Sequence, residues 1–164
     1  RLPKNFPCPI VVVQHMPQNF TLAFSQRLNR QCILDVKEAE AGDILQAGKV
    51  FLAPGGKQLI LDKNNSRRIK IIESSSGVNY KPCVDISLAS ICNSYGKDTL
   101  GIVLTGMGSD GCNGAKILKD NRATVWTQAK DCCVVYGMPM AVDKANLSNA
   151  SLSLDKMAYH LASI

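Results

Sequence analysis

The sequence is poor in the features that mark nucleic-acid-binding, secreted or membrane-spanning proteins. Aromatic residues make up only 5% of the 164 residues, so few side chains could stack on bases. Apolar runs such as Pro9–Val13 are far shorter than the roughly 20 residues that cross a bilayer. No basic start precedes an apolar core, as it does in a secretory signal. We therefore expect a protein that inserts into no membrane and binds no nucleic acid, despite its net charge of +6.

The seven cysteines lack the spacing of a structural framework. Their number is odd, their spacing is irregular, and no Cys-x-x-Cys pair occurs, which argues against a disulfide set and a structural zinc site. We interpret all seven as reduced thiols and therefore expect a cytoplasmic protein. Cys112, at the start of a predicted helix, could be stabilised there as a thiolate, although burial within the helix is the simpler interpretation.

A regular alternation of strand and helix patterns is present instead. Short β-branched apolar runs predict strands that are buried on both faces: 9–14, 49–53, 100–104 and 123–127. Apolar stripes and helical composition predict the helices: 19–30, 84–95, 115–119, 138–144 and 154–164. In the first helix, Phe20, Phe24 and Leu28 share one face, with Asn19 as the candidate N-cap.

This order of elements predicts the fold class. The segments 58–62 and 68–72 flank the turn Lys63-Asn-Asn-Ser, which is typical of an antiparallel hairpin. Alternating strands and helices indicate an α/β fold, doubly wound, with a mostly parallel sheet, helices on both faces and this β-hairpin as an insertion. In such sheets the ligand lies beyond the carboxyl ends of the strands.

Two strand ends carry the candidate functional side chains. His15 follows the first strand, and Asp110 lies in the glycine-rich turn after the third. A carboxylate in such a turn could orient an imidazole, as in a Ser-His-Asp arrangement, and it could also cap the helix that follows. The second histidine, His160, lies in the terminal helix and is assigned to the surface or to packing.

The glycine-rich turn has a rival interpretation. Gly106-x-Gly108-x-x-Gly111 matches the dinucleotide-binding fingerprint between a strand and a helix, where a pyrophosphate could bind. The negative charge of Asp110 and the late position in the chain argue against it. No nucleophile accompanies the candidate base, because the sequence contains no Gly-x-Ser-x-Gly turn.

Several motifs together carry a resemblance to a known family: Gln14-His15-Met16-Pro17, Ala53-Pro54-Gly55, Lys81-Pro82-Cys83-Val84-Asp85, Thr105-Gly-Met-Gly-Ser-Asp110-Gly111 and Val134-Val135-Tyr136-Gly137-Met138-Pro139. In this order, the sequence closely resembles the catalytic domain of the CheB-type protein-glutamate methylesterases of bacterial chemotaxis. The resemblance implies a serine hydrolase that removes methyl groups from chemoreceptor glutamates, releases methanol and needs no metal or cofactor. Many members also deamidate receptor glutamines.

The resemblance also implies residue roles. His15 and Asp110 match the family's catalytic His and Asp, and Met107, beside Gly108, matches a position whose backbone N–H lies near the oxyanion site. The family's serine lies upstream of this sequence. Residues 1–164 are therefore expected to form a methylesterase-like catalytic domain that lacks its first strand, its nucleophile turn and most of its first helix, and to be inactive alone. The expected partners are methylated chemoreceptor cytoplasmic domains and a receiver domain in the full-length protein.

Some positions depart from the family pattern. Gly56 and Gln58 stand where relatives often carry Asp and His. Tyr80 and Lys81 replace a common arginine context, and Lys130 stands where Glu is frequent. We interpret these as rim positions that alter receptor preference. Two other functions stay open: a non-catalytic receptor- or partner-binding module of the same fold, and a dinucleotide-binding domain.

Overall fold

The computed structural model describes residues 2–164, which form eight strands and five α-helices. The strands are β1 (Ile10–Val12), β2 (Asp35–Glu38), β3 (Lys49–Leu52), β4 (Gln58–Asp62), β5 (Asn65–Ile72), β6 (Leu100–Val103), β7 (Thr124–Gln128) and β8 (Ala150–Leu152). The helices are α1 (Gln18–Gln31), α2 (Val84–Tyr95), α3 (Cys112–Asp120), α4 (Met138–Lys144) and α5 (Leu154–Ala162). No helix in residues 2–164 has both the length and the apolar character needed to cross a bilayer.

The first of two compact units comprises the chain up to Cys83 together with His160–Ile164. Its parallel sheet has the strand order β1-β3-β2, with Val12 opposite Leu52. The antiparallel hairpin of β4 and β5 follows. One core cluster of this unit consists of Phe6, Leu34, Val36 and Val50.

The second unit, Val84–Tyr159, contains a parallel sheet of order β6-β7-β8. Leu100 pairs with Thr124, and Trp126 pairs with Ala150. Helix α2 packs against α3, and α3 and α4 both contact β7. The predicted α/β class, with parallel strands, helices and a hairpin, is confirmed.

Strand β1 and the start of α1 differ from expectation. The strand is only half-buried, because it lies at the end of its sheet and pairs with β3 alone among the described residues. Its second edge therefore has no partner strand within 2–164. Helix α1 begins after Pro17 and has no side-chain cap, so the prediction that Asn19 caps it is wrong.

Helix α1 buries two small hydroxyl residues fully and the predicted apolar stripe only in part, since Phe24 and Leu28 are half-buried and Leu28 packs against the core cluster. Thr21 and Ser25 are its buried residues, whereas Phe20 is 60% exposed. The Thr21 hydroxyl accepts the N–H of Gly55 at 3.0 Å, so a side chain of α1 is bonded directly to the loop after β3. Both buried hydroxyls also donate to carbonyls of the preceding turn, which satisfies them without water.

Helices α2 and α3 approach each other closely at the buried residue Gly114. A Cβ atom at this position would lie 2.8 Å from the Leu88 Cβ and 3.2 Å from the Asp85 Cα. Neither atom is the end of a flexible side chain, so relief would require the helices to separate. Overpacking costs about 1–3 kcal/mol, which exceeds the gain of at most about 1 kcal/mol from replacing a helical glycine by alanine.

We expect Gly114→Ala to lower the free energy of unfolding by about 1–2 kcal/mol, because the new methyl group forces α2 away from α3. Urea unfolding followed by circular dichroism measures the change. The control is Lys116→Ala, at an exposed position of the same helix, which should change stability by less than about 0.5 kcal/mol. A Gly114→Ala protein as stable as the parent would contradict the close approach.

Candidate active site

His15 lies just beyond the end of β1, at the carboxyl edge of the first parallel sheet, and is half-buried. The loop after β3 runs beside it, since the Ala53 N–H donates to the Val12 carbonyl at 2.8 Å. A Cβ on Gly55 would lie 2.6 Å from the Met16 carbonyl oxygen. Only glycine therefore allows the two loops to pack this closely, and the backbone that carries His15 is held from one side.

The ring of Tyr80 contacts His15 directly. The two ring centroids are 4.3 Å apart and the planes differ by 8°, which is a stacked arrangement. His15 and Tyr80 also line an open groove of about 310 Å³, together with Met16, Pro17, Asn79 and Lys81. The interpretation of Tyr80 as a rim residue was therefore incomplete, because its ring packs on the candidate base.

Gln58 holds the segment that carries Tyr80. Its side chain is 1% exposed. Its Nε2 donates to the Tyr80 carbonyl at 2.8 Å and to the Ser74 hydroxyl at 3.0 Å, and its Oε1 accepts the Cys83 N–H at 2.8 Å. The prediction that Gln58 is a rim position is wrong, because the amide is a buried structural link.

Asp110 and Asp85 cap the N-termini of two helices reciprocally, each accepting N–H groups at the start of the helix to which the other is adjacent. The buried carboxylate of Asp110 accepts the N–H groups of Val84 and Asp85 at 2.7 and 2.9 Å. In return, the Asp85 carboxylate accepts the N–H groups of Gly111 and Gly114 at 2.9 and 2.7 Å. Each anion satisfies free N–H groups at a positive helix end. Asp110 thus caps α2, and the prediction that it could cap the helix following it is wrong.

The turn that contains Met107 and Gly108 is locked against the segment before α4. The Gly106 carbonyl accepts the N–H groups of Gly137 and Met138 at 3.1 and 2.8 Å. A Cβ on Gly137 would lie 2.6 Å from that same carbonyl oxygen. The N–H groups of Met107 and Gly108 donate to no backbone carbonyl within residues 2–164. Met107 is 80% exposed, so the turn presents its donors at a fixed surface position.

The pKa of Tyr136 excludes this residue as a base at neutral pH. Its hydroxyl donates to Asp143 at 2.6 Å, and Asp143 also accepts the hydroxyls of Thr127 and Ser148, each at 2.7 Å. The hydrogen bond to Asp143, reinforced by burial, raises the pKa of Tyr136 to about 12. The phenol stays protonated and ties the segment before α4 to the carboxylate.

Cys112 does not have the environment of a nucleophile. Burial, reinforced by the negative charge of Asp85, raises the pKa of the Cys112 thiol. The sulfur also lies 3.4 Å from the Ala141 carbonyl, to which the thiol donates. These contacts favour the neutral thiol, although the helix N-terminus alone would favour the thiolate.

The structure gathers Asp110, Met107 and Gly108 in one turn of the second unit and stacks His15 on Tyr80 in the first. The pairing of His15 with Asp110 stays a prediction. Asp85 and the ring contact of Tyr80 were missed from sequence. An acidic residue in the first turn of a predicted helix was the available signal for Asp85, whereas no local pattern indicates a stacking partner.

We expect Asp110→Ala to lower the free energy of unfolding by about 2–3 kcal/mol, because two N–H groups of α2 lose a charged acceptor. Denaturant unfolding measures this without reference to catalysis. The control, Asp120→Ala, removes an exposed carboxylate at the last residue of α3. There an acidic side chain is unfavourable, so stability should stay the same or rise. Equal stability of Asp110→Ala and the parent would show that the cap is dispensable.

Comparison with known proteins identifies relatives along nearly the whole chain. The family model described as CheB methylesterase matches residues 1–161. The chain is 55% identical over 163 residues to protein-glutamate methylesterase/protein-glutamine glutaminase 1 of Saccharophagus degradans, covering 99% of this chain and 44% of that protein. It is 52% identical over 159 residues to the protein-glutamate methylesterase/protein-glutamine glutaminase of Vibrio parahaemolyticus, covering 96% of this chain and 43% of that protein. The chain thus spans less than half the length of these curated relatives.

A solved structure shares the fold. The crystal structure of the Thermotoga maritima CheB methylesterase catalytic domain matches with a TM-score of 0.94 and 40% sequence identity, over 99% of this chain and 86% of that one. The resemblance noted in the sequence motifs is confirmed by the family model, the curated relatives and this structure. The chain belongs to the CheB methylesterase family.

Proposed function

We propose that the protein containing this chain is a carboxylic ester hydrolase that removes methyl groups from glutamate side chains of chemoreceptors. The observation that carries the proposal is the half-buried His15 in an open groove at the carboxyl edge of a parallel sheet, where α/β folds bind ligands. The names of relatives 52–55% identical to the chain support the substrate class.

In the proposed reaction His15 is the general base. A serine hydroxyl attacks the ester carbonyl, and His15 takes the serine proton and returns it to the departing methanol oxygen. Water then attacks the acyl-enzyme by the same route and releases the glutamate. Asp110 fixes the tautomer of His15 and stabilises its imidazolium form. Its bonds to Val84 and Asp85 fix the position of the carboxylate, and each oxygen of a carboxylate can accept more than one hydrogen bond.

The turn at Met107 and Gly108 supplies the oxyanion donors in this proposal. A tetrahedral intermediate places a negative charge on the former carbonyl oxygen, and fixed backbone N–H groups stabilise it without reorganising. The bonds from Gly137 and Met138 to Gly106 hold the turn in place. The turn does not favour the dinucleotide alternative, because the buried Asp110 carboxylate places a negative charge beside the position that a pyrophosphate would occupy.

We infer that the nucleophilic serine lies outside the 164 residues, on a strand and turn that complete this catalytic domain. The sequence contains no Gly-x-Ser-x-Gly turn, and the pKa of the Cys112 thiol is raised rather than lowered. The second edge of β1, unpaired among the described residues, can hydrogen-bond to one further strand.

The proposed partners are the cytoplasmic domains of methylated chemoreceptors and a receiver domain in the longer protein. The paired activity in the relatives' names suggests that receptor glutamines are deamidated at the same site. The chemistry is the same acyl transfer, with ammonia leaving in place of methanol. Because an amide nitrogen leaves only after it is protonated, deamidation depends on the His15 imidazolium as proton donor.

We expect His15→Gln in the full-length protein to lower kcat by at least about 10³-fold, because the serine loses its base. Methanol release from methylated receptor membranes measures the loss. His160→Gln, at an exposed position of α5, removes the chain's other histidine and should retain full activity. Methanol release by His15→Gln at near the parent rate would refute the assignment.

The 164-residue polypeptide alone is expected to release no methanol above background, because its base has no nucleophile. The same assay at matched concentration, with the full-length protein as positive control, tests this.

A second prediction of the same arrangement is that a fluorophosphonate ester labels the full-length protein on a serine and leaves the 164-residue chain unlabelled. Labelling or turnover by the short chain would place the nucleophile within it and contradict the proposal.

A further inference from the structure

We propose that Tyr80 is a positioning residue for the general base, holding the imidazole plane of His15 in the orientation that proton transfer requires. The inference rests on the proposed role of His15. The motif pattern assigned Tyr80 no part in the reaction. The inference gives this residue, at which the sequence departs from the family pattern, a role in orienting the base.

The contact itself is a face-to-face stack. With centroids 4.3 Å apart and only 8° between the planes, the phenol ring covers one face of the imidazole. An imidazole can turn freely about its side-chain bonds unless neighbouring atoms block the motion. A flat ring on one face blocks every rotation that tilts the imidazole out of its plane.

Tyr80 can serve as a platform because its own backbone is fixed. The Gln58 side chain bonds to the Tyr80 carbonyl and to the Cys83 N–H, at 2.8 Å each, so it holds the segment at two points. Between them, the Gly56 N–H donates to the Lys81 carbonyl at 3.0 Å. Gln58 is itself buried within the first unit. Strand β4, to which Gln58 belongs, therefore fixes the position of the Tyr80 backbone.

The stack also suits the charge that His15 acquires during the reaction. A cation over an aromatic face is attracted by the negative charge density of the ring. The imidazolium formed when His15 takes the serine proton is such a cation, while the neutral imidazole is attracted less. The phenol ring therefore favours the state in which proton transfer has occurred. The ring rather than the hydroxyl supplies both effects, so phenylalanine should replace tyrosine.

A competing role for Tyr80 is contact with the substrate, because it lines the same groove as His15. The two roles differ in kinetics. Loss of a substrate contact raises KM with little change in kcat, whereas loss of base orientation lowers kcat at similar KM. A purely structural role would alter stability and neither kinetic constant.

The test compares Tyr80→Leu with Tyr80→Phe in the full-length protein. We expect Tyr80→Leu to lower kcat for methanol release by about 10-fold or more with KM changed less than about twofold, because the base is misaligned. Tyr80→Phe should stay within about twofold of the parent. Tyr159→Leu, which removes a tyrosine that is 73% exposed on α5, is the control and should leave both constants unchanged.

Nuclear magnetic resonance of protein labelled with carbon-13 histidine detects the stacking of His15 on Tyr80 independently of activity. The ring protons of His15, assigned from the signal missing in His15→Gln, should lie upfield of a free imidazole in the parent and in Tyr80→Phe. They should move downfield in Tyr80→Leu. A parent signal at the free-imidazole position would overturn the proposal even if Tyr80→Leu failed to fold.

The outcomes separate this inference from the proposed function. An unshifted His15 signal, an unchanged kcat in Tyr80→Leu, or a rise in KM alone would each overturn the positioning role while leaving the esterase assignment intact. A shifted His15 signal in a full-length protein that releases no methanol would instead overturn the proposed function and would leave the stack standing as geometry.

Discussion

The reciprocal capping by Asp85 and Asp110 is the interaction on which the second unit depends. Each carboxylate accepts hydrogen bonds from N–H groups at the N-terminus of the other helix. These bonds connect α2 and α3 at the end where Gly114 allows the two helices to pack closely. Neither helix can shift along the other without stranding N–H groups in the interior, where an unmade hydrogen bond is expensive. The turn proposed to hold the oxyanion ends at Asp110 and Gly111, which this reciprocal capping holds in place.

Much of the fold could be predicted from the sequence because strand and helix periods are strong signals. Helix α4 was predicted with its observed bounds, and the hairpin, α2 and β6 lie within a few residues of expectation. Strands β2 and β8 were missed because neither contains a continuous run of β-branched apolar residues, so only pairing with a neighbour defines them. The exposed Phe20 shows that apolar spacing alone does not establish which helix face is buried.

For the site, the positions could be predicted and the contacts could not. A histidine after a strand and a carboxylate in a glycine-rich turn are visible as local patterns, and both side chains lie in such loops in the structure. The partners of Tyr80, Gln58 and Asp85 are distant in sequence, since the stack, the buried amide and the exchanged caps each bridge more than 20 residues. Only the tertiary fold brings these groups together. These contacts also show that Tyr80 and Gln58, first assigned to the rim, pack against the candidate base and within the interior, respectively.

The edge strand β1 has a practical consequence for anyone handling this polypeptide. A strand that pairs on one side only offers a row of donors and acceptors to whatever extended chain it meets. No strand within residues 2–164 pairs with that row, and the short strand has no charged or proline gatekeeper between Ile10 and Val12. Preparations of the 164 residues should therefore self-associate as their concentration rises, and a peptide supplied in excess as a surrogate strand should keep them apart.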